Sequence, residues 1–148
     1  MEADFASVWS RVTGTDPAEN ELTMLQRWIR DETATVRSFE ALLRRRLPSP
    51  AAETLRVLRR RQQKQLHLLQ TLYYLRTGDT LMISLPEAPE KQPLMKALRE
   101  SYEAALNRAE SYRRATGARR DIAEACEKLA EEKNAQAAAL RQLTERLL

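Results

Sequence analysis

"RRRQQKQLHLLQTLYYLRTG", residues 59–78, reads as the second half of a long amphipathic helix. With Leu55 and Leu58 just upstream, Leu66, Leu69, Leu72 and Tyr73 recur at helical spacing and make an apolar stripe. Gln62 and Gln65 fall on that stripe, where leucines are expected. The chain's one histidine, His67, lies on the opposite, wet face with Arg60, Gln63 and Lys64. A helix that buries two amides three residues apart needs polar partners inside the protein, and other helices must supply them.

Those helices can be read on either side. A first runs from about residue 20, with Asn20 as an acceptable N-cap, to about Arg46. Its stripe is Leu25, Trp28, Ile29, Glu32, Val36, Phe39 and Leu43. "LPSP" at 47–50 breaks it and makes a tight connection, so the second helix, residues 50–77, packs antiparallel to the first. Gly78 stops it. The stretch "GDTLMISLPEAPEKQP" (78–93) has three prolines and no helical period. Extended, it reaches about 50 Å, enough to travel the length of a bundle. A third helix spans 93–115 with the stripe Leu94, Leu98, Tyr102, Ala105, Ala109 and Tyr112. After the turn "TGAR" a fourth spans 119–148, with Ile122, Cys126, Leu129, Lys133, Gln136, Leu140, Leu143 and Leu147 on one face. A short segment at 1–14, "DFASVWSRV" at its centre, places Phe5, Val8, Trp9 and Val12 on one side and reads as a cap on the body. The expected architecture is a single all-α domain, a four-helix bundle with short, long and short connections. With 148 residues, only three glycines, and abundant Ala, Leu, Glu and Arg, the composition agrees.

Polar residues interrupt three of the four stripes near their midpoints: Glu32, the pair Gln62 and Gln65, and the pair Lys133 and Gln136. Helix 3 offers only Ala105 at that level. Unpaired, such groups cost about 1–3 kcal/mol each, so one shared level at which they satisfy one another is expected. The hypothesis is a buried Glu32–Lys133 ion pair flanked by Gln62, Gln65 and Gln136.

The segment "LHLLQTLYYLRTG" (66–78) resembles the pattern H-x-x-x-L-x-x-L-Y-Y-L-x-T-G of rubrerythrin-like proteins, a branch of the ferritin-like superfamily. "RDETATVRSF" (30–39), with Glu32 seven residues before Phe39, is similar to the same family's first helix. The likeness extends from about residue 20 to the end. It implies a ferritin-like four-helix bundle, in which di-iron members carry a Glu on helices 1 and 3 and Glu-x-x-His on helices 2 and 4. Carried onto this chain, the six ligand positions fall at Glu32, Gln62, Gln65, Ala105, Lys133 and Gln136. Only Glu32 keeps a ligand type. Neutral amides are poor iron ligands, and a protonated lysine repels a cation. The four cysteines of the rubredoxin module of rubrerythrins do not occur in this sequence, so that module is not expected in it.

Other chemistry has little to work with. Cys126 is alone, which excludes an internal disulfide and a Cys-x-x-Cys knuckle. No Gly-x-Ser-x-Gly and no glycine-rich phosphate loop occurs. No apolar run approaches the roughly 20 residues of a membrane span, and the acidic start "MEADFASVWSR" lacks a signal-peptide pattern. A cytoplasmic location is expected, with no membrane partner. The charge, +4 overall, is uneven: residues 37–76 carry ten basic and two acidic side chains. Arg44, Arg45, Arg46, Arg56, Arg59, Arg60 and Lys64 form the basic segment. Arg44–Arg46 read as a helix end, where cations suit the dipole, and the rest as a solvated face.

Three functions compete. A non-catalytic ferritin-like protein, structural or interacting with an unidentified protein and without a cofactor, ranks first. A family member binding iron or manganese through Glu32 and surface carboxylates, with oxidoreductase chemistry, ranks second. A nucleic-acid or anion binder using the basic segment ranks last. Ferritin-like bundles often pair through a helix face, so the resemblance also admits a homodimer.

Overall fold

Four helices carry nearly all of the described chain; the computed structural model describes residues 17–81, 83–85, 92–115 and 119–148. They are α1 (Pro17–Leu43), α2 (Ser49–Thr77), α3 (Leu94–Arg114) and α4 (Arg120–Leu147). No strand occurs among the described residues. The expected cap at 1–14, with Phe5, Val8, Trp9 and Val12, lies outside them, as does Met82.

The helix ends follow local chemistry. α1 starts at Pro17 rather than at Asn20. Proline suits a first helical position, because its fixed φ is already helical and its missing N–H would have had no partner. α1 also ends at Leu43, one turn sooner than Arg46. There the Arg44 N–H is shared between the carbonyls of Glu40 and Ala41, at 3.2 and 3.3 Å, and the Arg45 N–H reaches Leu42 at 3.1 Å. Bonds shift from i−4 to i−3 and the helix tightens shut. Pro48 then biases Leu47 toward extended backbone. Arg44, Arg45 and Arg46 therefore follow the helix instead of forming its last turn. Leu42 is the core residue here, and Leu43, expected on the stripe, is half-buried. α2 closes on Gly78 at φ 74°, whose N–H bonds to the Tyr74 carbonyl at 2.7 Å.

Two apolar clusters give the helix directions. One joins Leu25, Trp28 and Ile29 of α1 to Leu69 and Leu72 of α2, Tyr112 of α3, and Ile122 to Ala130 of α4. The other joins Phe39 and Leu42 to Ala51, Leu55 and Leu58, to Ala97 and Leu98, and to Leu140 and Leu143. The starts of α1 and α4 thus share an end with the finishes of α2 and α3. α1 packs along α2 and α3 along α4, with α2 against α4 and α1 against α3 as the remaining sides. Every neighbour is antiparallel. Since α2 ends where α3 also ends, α3 begins at the opposite end of the bundle from the finish of α2. Leu81 and Ile83 pack on the first cluster just past that finish. The connections are short, long and short, as expected.

Of the predicted stripe residues, Leu94, Tyr102 and Leu147 are half-buried. An ionic clasp ties one end together. Arg76, at the finish of α2, donates two bonds to Asp121 at 2.7 and 3.0 Å. Glu21 lies 3.6 Å from both Arg76 and Arg119, and accepts the Arg119 N–H at 2.9 Å. The hydrogen bonds from Arg76 hold the Asp121 carboxyl below its ordinary 3.8. No described helix is long and apolar enough to cross a membrane.

Two outcomes follow from these ends. A Cβ on Gly78 would meet nothing within 4 Å, so Gly78→Ala costs only backbone strain, about 1–2 kcal/mol, by urea denaturation. The clasp contributes above the ordinary pKa of Asp121 and is lost as pH falls through the depressed one. Arg76→Gln therefore lowers the denaturation midpoint at pH 7, and that effect shrinks as pH is taken progressively below 3.8.

Candidate functional site

Between the two apolar clusters lies a polar layer at the midpoint of the helices. Glu32 comes from α1, Gln62 from α2, and Lys133 and Gln136 from α4; Glu32, Gln62 and Lys133 are fully buried and Gln136 is 4% exposed. Helical spacing on three facing stripes brings them to one height, as the interrupted periodicity implies.

Lys133 is the centre. Its Nζ is 2.6 Å from Glu32 Oε2, 2.7 Å from Gln62 Oε1 and 3.3 Å from Gln136 Oε1. An ammonium has three N–H donors, and each finds an oxygen. Gln62 joins the two charges. Its Nε2 donates to Glu32 Oε2 and to the Glu32 carbonyl, both at 3.1 Å, while its Oε1 accepts from Lys133 and, at 2.9 Å, from Gln136 Nε2. Only this orientation of the amide turns oxygen toward the cation and nitrogen toward the carboxylate. The expected ion pair is present, with Gln62 and Gln136 flanking it.

Gln65 and Ala105 behave differently. Gln65 is buried one turn along α2, but its Oε1 has no hydrogen-bond partner. Ala105 is buried at the layer's height and brings no polar side chain. α3 contributes through Arg108 instead, one turn on, which sequence reasoning missed. Arg108 Nε stands 3.5 Å from Glu32 Oε1, and its Nη1 donates to Thr35 Oγ1. Thr35 in turn donates to the Asp31 carbonyl at 3.1 Å. Arg108 follows the small Ala105 by three residues, close enough on the helix surface to reach over it. That spacing was the available signal.

The electrostatics are those of a closed interior. Burial pulls Lys133 down from 10.5 to about 8, against the opposing influence of Glu32. Burial and the Glu32 charge push the Tyr112 hydroxyl well above 10.0. Its ring packs against Trp28 with centroids 5.1 Å apart. Cys126, buried as expected, is pushed up to about 11, so it stays a thiol at neutral pH. His67 and Lys64 are exposed, as are Arg56 and Arg60, while Arg59 is half-buried.

The resemblance implies a pair of iron ions at this layer, and these residues do not fit them. The donor set is one carboxylate and neutral amides, already engaged by the ammonium and with a guanidinium beside it. Two fixed positive charges would face any incoming cation. Among the described residues no three His, Cys, Asp or Glu side chains converge into a group that could hold a metal ion. No known protein family, curated protein or solved structure matches this chain.

Removing one partner of a buried pair strands the other charge. Lys133→Met therefore destabilises the protein by about 3–5 kcal/mol in urea denaturation, and Glu32→Leu with Lys133→Met recovers most of that loss. The pH response has a defined sign. The folded chain releases the Lys133 proton near pH 8, the unfolded chain near 10.5. In between, the unfolded state binds more protons, so this group makes stability rise with pH. Above about pH 9 the raised pKa of Cys126 acts in the opposite direction. Between pH 7.5 and 9, the wild-type denaturation midpoint should rise relative to that of Lys133→Met.

Proposed function

We infer that this chain is a ferritin-like, rubrerythrin-like bundle whose di-iron site has been replaced by an internal ion-pair network, and that it acts as a non-catalytic structural or interaction protein. One observation carries the reading. Lys133, aligned with a metal-ligand position of the resemblance, extends its ammonium among oxygens of Glu32, Gln62 and Gln136. There it supplies the positive charge that a metal would bring.

The surrounding chemistry supports this reading. Gln in place of Glu and His keeps size and hydrogen-bonding capacity while removing a negative charge and a basic nitrogen. The short–long–short connectivity is also that of ferritin-like bundles. Oxidase, peroxidase and iron-storage activities of such bundles depend on the metal pair. Without it the remaining contribution is the folded surface and what docks on it.

Elemental analysis tests this. The purified chain is offered Fe(II), Mn(II) and Zn(II) anaerobically and freed of excess. No retained metal is expected, and the thermal unfolding midpoint is the same with added metal as with chelator, because a ligand that does not bind the native state cannot stabilise it. Two tightly held metals per chain, with a raised midpoint, would overturn the reading.

A further inference from the structure

The two halves of the bundle treat their surface charges differently. On α3 and α4, exposed arginines sit beside carboxylates one turn away: Arg99 with Glu103, Arg114 with Glu110, Arg120 with Glu124, and Arg141 with Glu145, all within 3.3 Å. On α1, α2 and the turn between them the pattern fails. Of the eleven basic side chains from Arg27 to Lys64, Arg56 alone has a carboxylate partner among the described residues, Glu53 at 3.1 Å. The remainder are uncompensated.

The density is greatest on the outward face of α2. Arg56, Arg60, Lys64 and His67 follow one another at helical spacing and are all exposed, with Arg61 exposed beside them. Stacking like charges at i and i+4 works against the helix. A solvated face needs only polarity, and α3 and α4 achieve it with alternating signs. The cationic side chains of this row are spaced about 6 Å apart along the helix axis, and Arg60, Arg61, Lys64 and His67 line one shallow trough with Val57 and Gln63. Further along the same face Tyr74 is 52% exposed.

We propose that this outer face of α2 is a docking surface for the phosphate backbone of a single-stranded nucleic acid. The complementarity is specific. Guanidinium forks match phosphate oxygens, and arginine predominates in the row. Its length engages several phosphates at once, and Tyr74 offers a ring on which a base stacks. A lipid surface would require apolar side chains interleaved with the cations, and the row from Arg56 to His67 has only the half-buried Val57 among its lining residues. The inference is independent of the buried layer, since no residue of this row belongs to it.

The test is fluorescence anisotropy with a labelled single-stranded oligonucleotide of about 20 nucleotides, long enough to span the row, at three salt concentrations. Binding is expected, with log affinity falling against log salt at a slope of about −3, for four phosphates engaged. The variant R60Q/R61Q/K64Q should lose on the order of tenfold or more in affinity and flatten that slope. Y74A should weaken binding severalfold with the slope unchanged. The control R113Q/R114Q/R141Q removes equal charge from the neutralised half and should leave affinity nearly unchanged. All these positions are exposed, and circular dichroism checks each variant's fold. No binding at low salt would overturn the proposal. So would equal losses in both triple variants, which indicate net charge alone, or binding to anionic vesicles but not to the oligonucleotide. Single variants R60Q and K64Q, each reducing affinity, decide the matter should the triple variant not fold.

Discussion

A lysine ammonium enclosed at the middle of a helical bundle is expensive unless every one of its donors is met, and the rest of this structure is arranged around meeting them. Lys133 reaches three oxygens from α1, α2 and its own helix. Glu32 balances its charge, and Gln62 binds both members of the pair through opposite ends of one amide. The apolar clusters on either side could tolerate some sliding, because one leucine resembles another. The polar layer cannot. A one-turn slip of α4 would bring Lys133 against the leucine and alanine side chains of a cluster and leave Glu32 without its nearest cation. The layer therefore fixes the relative heights of α1, α2 and α4, while Arg108 adds a weaker link from α3.

Glu32, Gln62, Lys133 and Gln136 were legible in the sequence for a simple reason. Each interrupts an apolar stripe, each lies at a helix midpoint, and buried polar groups have to find one another. The same logic overreached at Gln65, whose carbonyl oxygen has no partner, because periodicity places a residue on a face without saying what stands opposite. Arg108 and Thr35 were missed because neither interrupts a leucine stripe. Arg108 keeps part of its side chain at the surface and reaches inward, so its role depends on side-chain length and the small neighbour Ala105, not on period. Helix ends were misplaced where backbone chemistry outweighed pattern: proline at the start of α1, and a tightening turn ahead of Pro48 at its finish.

The interior and the surface carry separate messages. Inside, the charges of Glu32 and Lys133 are paired and the thiol of Cys126 is held protonated. Outside, α3 and α4 pair exposed arginines with carboxylates one turn away, whereas from Arg27 to Lys64 only Arg56 has a carboxylate partner among the described residues. The proposed function and the proposed docking face are compatible, although they rest on different residues.

The most direct test of the account is an NMR titration of the protein labelled with 15N-lysine. Five lysines are present. One ammonium signal, absent from Lys133→Met, should be protected from exchange at pH 7 and titrate near 8. If the Lys133 ammonium instead exchanged as freely as a surface lysine and titrated near 10.5, it would not be enclosed among Glu32, Gln62 and Gln136, and the central layer described here would be wrong.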